Sequence, residues 1–486
     1  METRCEALTA LLGADNVLLP GSAEYNASLE SYFSPQASAV HPLCFVTPKT
    51  TSDVSAVVKS LVSTGLNFAV RGAGHMWIPG ASNSPGGVTI DLRGIDSVSL
   101  SADRSRVSAG AGATWDLVYG ALDPLGLSVA GGRVAGVGVG GLALGGGISY
   151  FSPRRGWTCD SAASFEVVLA GGEVVRASDE ENADLWRGLR GGGNSFGIVT
   201  GVEFVTFEQG PLWSALVISP TSVVEQQAQI CARLMAAETF DEDASFLTGW
   251  AFSGKAGGSV ALHQLVHTRP DGTEIPPVYQ DVLNLPTIPG IGSRPIVADM
   301  STHAQNSVAL CAPQAARPWP SYLNATTTFI PTEAMIRETY AAFDASLPAI
   351  QHLTGIMWAL NLEPLPPQIY ARAAADNALG LGGRKGSLVI CLLSPAWQDA
   401  SQDEQVYAAA RALMDDVEAR AKKLGVYDPY VYMNYAAPWQ DVIGGYGEES
   451  VARLRALRVR VDPDGVFTSR VEGGFKIPSL DSLSTG

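Results

Sequence analysis

The spacing of apolar positions changes character near residue 210. Before it, short apolar runs alternate with single helices. Strands are predicted at residues 44–46, 67–70, 88–92, 97–100 and 106–109, and another over 198–207. Val54, Val57, Val58 and Leu61 recur at helical spacing and predict a helix over 52–62, with Thr51 or Ser52 as its cap. Shorter helices are predicted at 115–122 and 184–189, and a hairpin over 165–176 about Ala170-Gly171-Gly172. Residues 1–35 read as a helical start and a turn-rich lead-in. After Gly210-Pro211 the helices lengthen, at 222–238, 333–347 and 403–424. Strands at 246–252, 259–266, 323–329, 355–362 and 387–393 alternate with them. Helices interleaved with hairpin-like strand pairs predict an antiparallel sheet covered on one face, and an α+β fold overall. No internal repeat or low-complexity tract is present.

A chain of 486 residues exceeds one ordinary core and predicts at least two lobes. Asp and Glu number 48 against 32 Lys and Arg, a formal charge of −16, which opposes nucleic acid and anionic membrane surfaces. Arg154-Arg155 and Lys422-Lys423 are isolated pairs that do not reverse this. The uncharged run 134–153 is broken by seven glycines, so it is no membrane span. The N-terminus carries no apolar leader, which reads as cytoplasmic as given; a processed, secreted form stays open. Two sequons, at Asn26 and Asn324, lean towards secretion. The six cysteines form no C-x-x-C, which gives zinc no support. Cys5 and Cys44 are either a disulfide or buried thiols.

Three segments carry candidate chemistry. In Arg71-Gly72-Ala73-Gly74-His75 a strand runs into glycines whose N–H groups form an anion nest suited to a pyrophosphate, with an imidazole beside it. Gly136, Gly138 and Gly141 spell a literal G-x-G-x-x-G with Asp160 at ribose distance. The three glycines 145–147, however, stand where a dinucleotide fold needs helix, at about 1 kcal/mol each relative to alanine. A backbone lying flat along an extended cofactor accounts for them better. The third segment is Tyr432-Met433-Asn434-Tyr435, followed by Tyr446-Gly447, Arg453 and Asp462-Pro463. His263, His267, His303 and His352 lie in the second half with Trp250, Tyr322 and Trp358. His263 and His267 share a strand face rather than a helical metal pair, so no metal site is expected. No G-x-S-x-G or P-loop lysine supports hydrolase or kinase chemistry.

Taken in order, these segments resemble the berberine-bridge-enzyme-like FAD-linked oxidases of the vanillyl-alcohol-oxidase superfamily. The likeness extends through Pro48 to Val54, Asp91-Leu92, Leu185 to Gly193, Phe196 to Val199 and Gly473-Gly474-Phe475-Lys476, the last resembling fungal members. It implies a PCMH-type two-subdomain FAD-binding domain over 36–209. A substrate domain over 210–429 and a returning C-terminal segment over 430–480 would complete the chain. It also implies roles. His75 would be linked to FAD at the 8α carbon; Arg71, Gly72, Ala73, Gly74 and Met76 would wrap the pyrophosphate. Gly138, Val139, Gly140, Gly141, Gly145, Gly146 and Ile148 would lie along the cofactor. Ile198 and Val199 would pack near adenine, and Asn434 would approach the flavin. Tyr435 matches a catalytic base. A free phenol has a pKa of about 10, so Tyr435 needs a cation or donor from elsewhere in the fold.

Departures sharpen these expectations. Val134 stands where many relatives carry a second flavin-linking cysteine, which implies a single link through His75. Ala437 replaces an aspartate, which removes one proton relay, and Leu142 replaces an often polar residue. The implied activity is oxidation of a small organic molecule, an alcohol, amine or activated C–H of secondary metabolism, with molecular oxygen as acceptor. The alternative is a cyclase or pericyclase that keeps FAD as a structural element.

Overall fold

The computed structural model describes residues 2–270, 275–311 and 320–478. Its first half holds two main sheets and a two-stranded pair, Leu127–Ser128 with Phe207–Glu208. One has four strands in the order Val17–Leu18, Cys44–Val46, Val88–Asp91, Phe68–Arg71, the last three parallel. The other has five antiparallel strands in the order Val98–Leu100, Arg106–Gly110, Ile198–Val205, Ala162–Val168, Val174–Ser178.

The helix Thr51–Thr64 buries Val54, Val57, Val58 and Leu61, the stripe its spacing predicted. It starts one residue earlier than expected, because Thr50 is the cap. Thr50 Oγ1 accepts from Asp53 N, and the Asp53 carboxylate accepts from the amides of Lys49 and Thr50. Gly65, at φ 71°, ends it. The predicted hairpin is present, with Val168 opposite Val174. Cys5 and Cys44 form a disulfide that ties the helix Glu2–Leu12 to the strand Cys44–Val46; Cys159, Cys231 and Cys391 are buried thiols.

Residues 212–428 build a large antiparallel sheet. Its main path runs Ser293–Ala298, Leu212–Pro220, Gly258–His267, Ala244–Ser253, Met357–Leu365, Leu388–Leu393, Ala325–Phe329, Tyr427–Asp428. Side chains alternate across it. Trp250, opposite Leu360, packs on Tyr340 and Phe343 of the helix Glu333–Ser346. The helices Val224–Leu234 and Asp403–Leu424 cover the same face, and their apolar residues form a core with Trp213, Trp358 and Trp397. Asn361 and Glu363, one step out of phase with Leu360 and Leu362, therefore point the other way, towards the first half of the chain. A separate core joins the small sheets to Tyr430, Tyr432, Leu454, Phe467 and Ile477. Among the described residues no helix is long and apolar enough to cross a membrane.

The elements that were not expected include the sheet strands Leu212–Pro220 and Ser293–Ala298. The glycine-rich stretch contains a six-residue helix, Val139–Leu144, before the chain turns at Gly145. A helix Met300–Cys311 lies against the helix Trp115–Leu122, with Ala304 O accepting from Ala135 N.

Candidate functional site

The strand Phe68–Arg71 delivers the first candidate loop. The Arg71 guanidinium is fully buried; it donates to Ser28 O (2.9 Å) and Ser31 Oγ (2.8 Å) and lies 3.8 Å from the Tyr32 ring centre. Its two Nη atoms are thus anchored in the fold, while Nε, without a hydrogen-bond partner, lies at the Gly74 turn. Gly74 turns at φ 81°, where a Cβ would come within 2.7 Å of Arg71 Nε. The chain cannot carry a side chain there and keep the anchor.

The loop meets the second segment directly. A Cβ on Gly138 would lie 3.0 Å from Ala73 Cβ; one on Gly140 would lie 3.1 Å from Ala111 O, and one on Gly72 3.4 Å from the same oxygen. Gly141 is exposed with open space before it. The third segment closes on the same place: a Cβ on Gly145 would fall 2.1 Å from Asn434 Oδ1, while Asn434 Nδ2 donates to Leu142 O at 3.1 Å. Three segments separated by up to 360 residues are thus one continuous surface of close-packed, side-chain-free backbone.

Other predicted residues sit at its margins. Ile198 and Val199 are buried in the five-stranded sheet opposite Val168 and Val167, so only their backbone is available. Ile148 is buried, Val139 is buried in the small helix, and Gly146 has φ 101° with Leu379 near it. Met76 packs against the second core. Asp160 is no ribose ligand. Its carboxylate accepts from Trp157 N and Asn377 Nδ2 and pairs with Arg190, all buried, and the dinucleotide-fold alternative fails there.

His75 is half-buried. Its ring stacks on Phe33, centroids 4.0 Å apart at 17°, and Phe33 stacks on Tyr322 at 4.5 Å. Burial pulls its imidazole down to about 4, so the ring is neutral at pH 7 with a free nitrogen lone pair.

Tyr435 has two partners that sequence reasoning missed. Arg133 Nη2 donates to Tyr435 Oη at 2.6 Å, and Tyr435 Oη donates to Glu363 Oε2 at 3.1 Å. Arg133 and Glu363 also form an ion pair, with side chains only 12% and 4% exposed. Burial pushes the Tyr435 phenol well above its ordinary range, Arg133 opposes, and Glu363 and Tyr432 add to the rise. Burial also works against the Arg133 charge, but Glu363, Tyr435 and Tyr150 outweigh it, so Arg133 stays protonated.

The four histidines named above bind elsewhere: His263 to Thr248, His303 to Leu212 O and Ser214, His267 beside Asp241, His352 to Gln405. Among the described residues no group of His, Cys, Asp or Glu is placed to hold a metal ion.

Comparison with known proteins fits this surface. An FAD binding domain family matches residues 42–178. An FAD-dependent monooxygenase of Cochliobolus heterostrophus, tpcD, is 34% identical over 97% of this chain and 94% of its own length. The chain belongs to the same family of fungal FAD-dependent oxidoreductases. Another family-like relative, oligopeptidase PhomG' of Diaporthe leptostromiformis, is 40% identical over 97% of this chain, which spans 37% of that protein's length. Among solved folds, xylooligosaccharide oxidase of Myceliophthora thermophila superposes with TM-score 0.78 at 19% identity, covering 97% of this chain and 99% of that one. Glucooligosaccharide oxidase of Acremonium strictum, described with a 6-S-cysteinyl, 8α-N1-histidyl FAD, gives 0.78 at 19% over 97% and 99%. The enzyme binds FAD, and the residues present suit it: a close-packed glycine loop at 72–74 whose backbone would face the cofactor, an open face at Gly141, and a neutral imidazole beside that loop.

Proposed function

We propose that this enzyme holds FAD through a single covalent bond from His75 to the 8α carbon and oxidises an alcohol, amine or activated C–H of a small organic molecule. Tyr435 is the proton acceptor and molecular oxygen the final oxidant. The observation that carries the proposal is the Arg133–Tyr435–Glu363 cluster beside Asn434. When bound, FAD supplies the hydride acceptor.

The chain's own residues supply the rest. His75 is uncharged and stacked, which keeps a nitrogen lone pair available at the nest formed by residues 72–74. With Val134 in place of a cysteine, no second side chain is offered for attachment. Asn434, held by Leu142 O and the Tyr432 hydroxyl, fixes the position of Tyr435.

Tyr435 is not a resting phenolate, because burial outweighs Arg133. Its route to base function is a relay: Oη takes the substrate's proton while its own proton passes to Glu363 Oε2. Arg133, bonded to both oxygens, balances the charge throughout. Glu363 thereby fills the role lost with Ala437, from a different element of the fold. Support for a secondary-metabolite substrate comes from the fungal relatives; no residue pattern names the compound.

The test is Tyr435→Phe, assayed by peroxide release from a panel of benzylic alcohols, secondary amines and oligosaccharides. Turnover of any accepted substrate falls about 10²–10³-fold with flavin content unchanged. Unchanged turnover removes Tyr435 from the mechanism.

A further inference from the structure

Tyr150 takes no part in the relay, yet it lies beside the residue that balances it. It stands three residues past the glycines 145–147 and is buried. The Arg133 guanidinium carbon lies 5.8 Å from the centre of its ring. The Tyr150 hydroxyl accepts from Gln264 Nε2 at 3.0 Å and shares a hydrogen bond with Ser307 Oγ at 3.2 Å.

Strand register ties these contacts to the site. Gln264 is opposite Leu247, and Thr248 is opposite Leu362. One step along, Leu247 falls in the row of Glu363. Gln264 and Glu363 therefore share a row and a face of the large sheet, two strands apart, or about 10 Å. One holds Tyr150 and the other holds Arg133. The helix Met300–Cys311 closes a third side. Its Ala304 and Ser307, neighbours on one helix face, bond Ala135 N and the Tyr150 hydroxyl. Tyr119 Oη donates to Gly132 O at 2.9 Å, so the backbone on both sides of Arg133 is fixed.

The side chain remains to be fixed. An arginine is long and rich in rotamers. Arg133 Nη2 is shared between Tyr435 Oη at 2.6 Å and Glu363 Oε2 at 3.3 Å. A small swing would keep the ion pair with Glu363 and take the cation off the phenol. The Tyr150 ring fills space beside the guanidinium, at a separation where an aromatic face still attracts a cation.

We propose that Tyr150 is a positioning residue: clamped by Gln264 and Ser307, its ring confines the Arg133 guanidinium to the place where it meets both Tyr435 and Glu363. The proposal rests on the Tyr435 relay, and its test separates the two.

The charged and titratable groups that act on Tyr435 are Arg133, Glu363 and Tyr432. Tyr150 is not among them, so its effect on the phenol passes through Arg133. Tyr150→Leu holoprotein is assayed with the fastest substrate of the panel named above. The rising limb of its kcat–pH profile moves up by about one pH unit, and kcat at pH 7 falls about tenfold. KM stays within about twofold of wild type, with FAD per polypeptide unchanged. Tyr150→Phe, which keeps the ring, gives a smaller shift in the same direction. In the Arg133→Met background Tyr150→Leu moves the limb no further. If Tyr150→Leu does not fold, Gln264→Leu, which unties the ring without removing it, moves the limb the same way. Urea unfolding reads the contact without a substrate: the effects of Tyr150→Leu and Arg133→Met on the unfolding constant depart from additivity by about fivefold or more. Additive effects overturn the proposal. A limb that moves in Arg133→Met but in neither Tyr150→Leu nor Gln264→Leu overturns it and leaves the relay standing. A limb unmoved in Arg133→Met overturns both. A raised KM with the limb in place overturns the proposal and assigns Tyr150 to substrate binding.

Discussion

Arg133 Nη2 sits 2.6 Å from Tyr435 Oη although 302 residues separate them along the chain. The contact supplies the cation that the proposed tyrosine base requires. It comes from the residue directly before Val134.

Replacing that cation has a signed consequence. Arg133 lowers the pKa of Tyr435 and neutralises Glu363. Arg133→Met therefore leaves the phenol harder to deprotonate and the Glu363 carboxylate without its ion-pair partner. The rising, low-pH limb of the kcat–pH profile, measured from pH 5 to 10, moves to higher pH, and kcat near neutrality falls about 10²-fold. Arg133→Lys recovers part of the loss. Because the pair is buried, the Met variant is also destabilised by about 3 kcal/mol. A profile that keeps its limb in place contradicts the relay.

The disulfide closes a loop of 39 residues and restricts the unfolded chain. Cys5→Ala combined with Cys44→Ala lowers the free energy of unfolding by about 3–4 kcal/mol on a chain-entropy estimate. Urea unfolding with and without reductant checks it: reductant shifts the wild-type midpoint and leaves that of the double variant unmoved.

His263 gives a pH prediction remote from the chemistry. Desolvation lowers its pKa to about 4, against about 6.5 in the unfolded chain. Between those values the unfolded state binds the extra proton. The contribution to stability is therefore complete above pH 6.5 and is lost as the pH falls towards 4. Comparing urea midpoints at pH 7 and pH 4.5, wild type loses on the order of 2 kcal/mol more than His263→Gln. Equal losses contradict a neutral, buried His263.

Much of the fold was legible because its signals are local. The Val54, Val57, Val58, Leu61 stripe and the Ala170-Gly171-Gly172 turn are each set by neighbours within a few residues. The helix Val139–Leu144 was hidden because six residues hold less than two turns, too few for a period, and glycines flank them. The helix Met300–Cys311 is held by tertiary contacts, such as Ala304 O with Ala135 N, that no window on the sequence displays. For the site, His75, Asn434 and Tyr435 stood out by motif, but their partners did not. Glu363 left one trace: with Asn361 it shares a face of an otherwise apolar strand. A charge placed there has to find a partner across the sheet. Nothing in the spacing pointed to Arg133, 230 residues away.

The covalent link from His75 is the central claim, and it is tested most directly by acid denaturation. Purified holoprotein is precipitated with acid, pelleted, and examined for flavin absorbance and in-gel fluorescence. The account predicts flavin in the wild-type pellet and none in that of His75→Ala. Yellow supernatant over a colourless wild-type pellet would show FAD bound without the bond and contradict it.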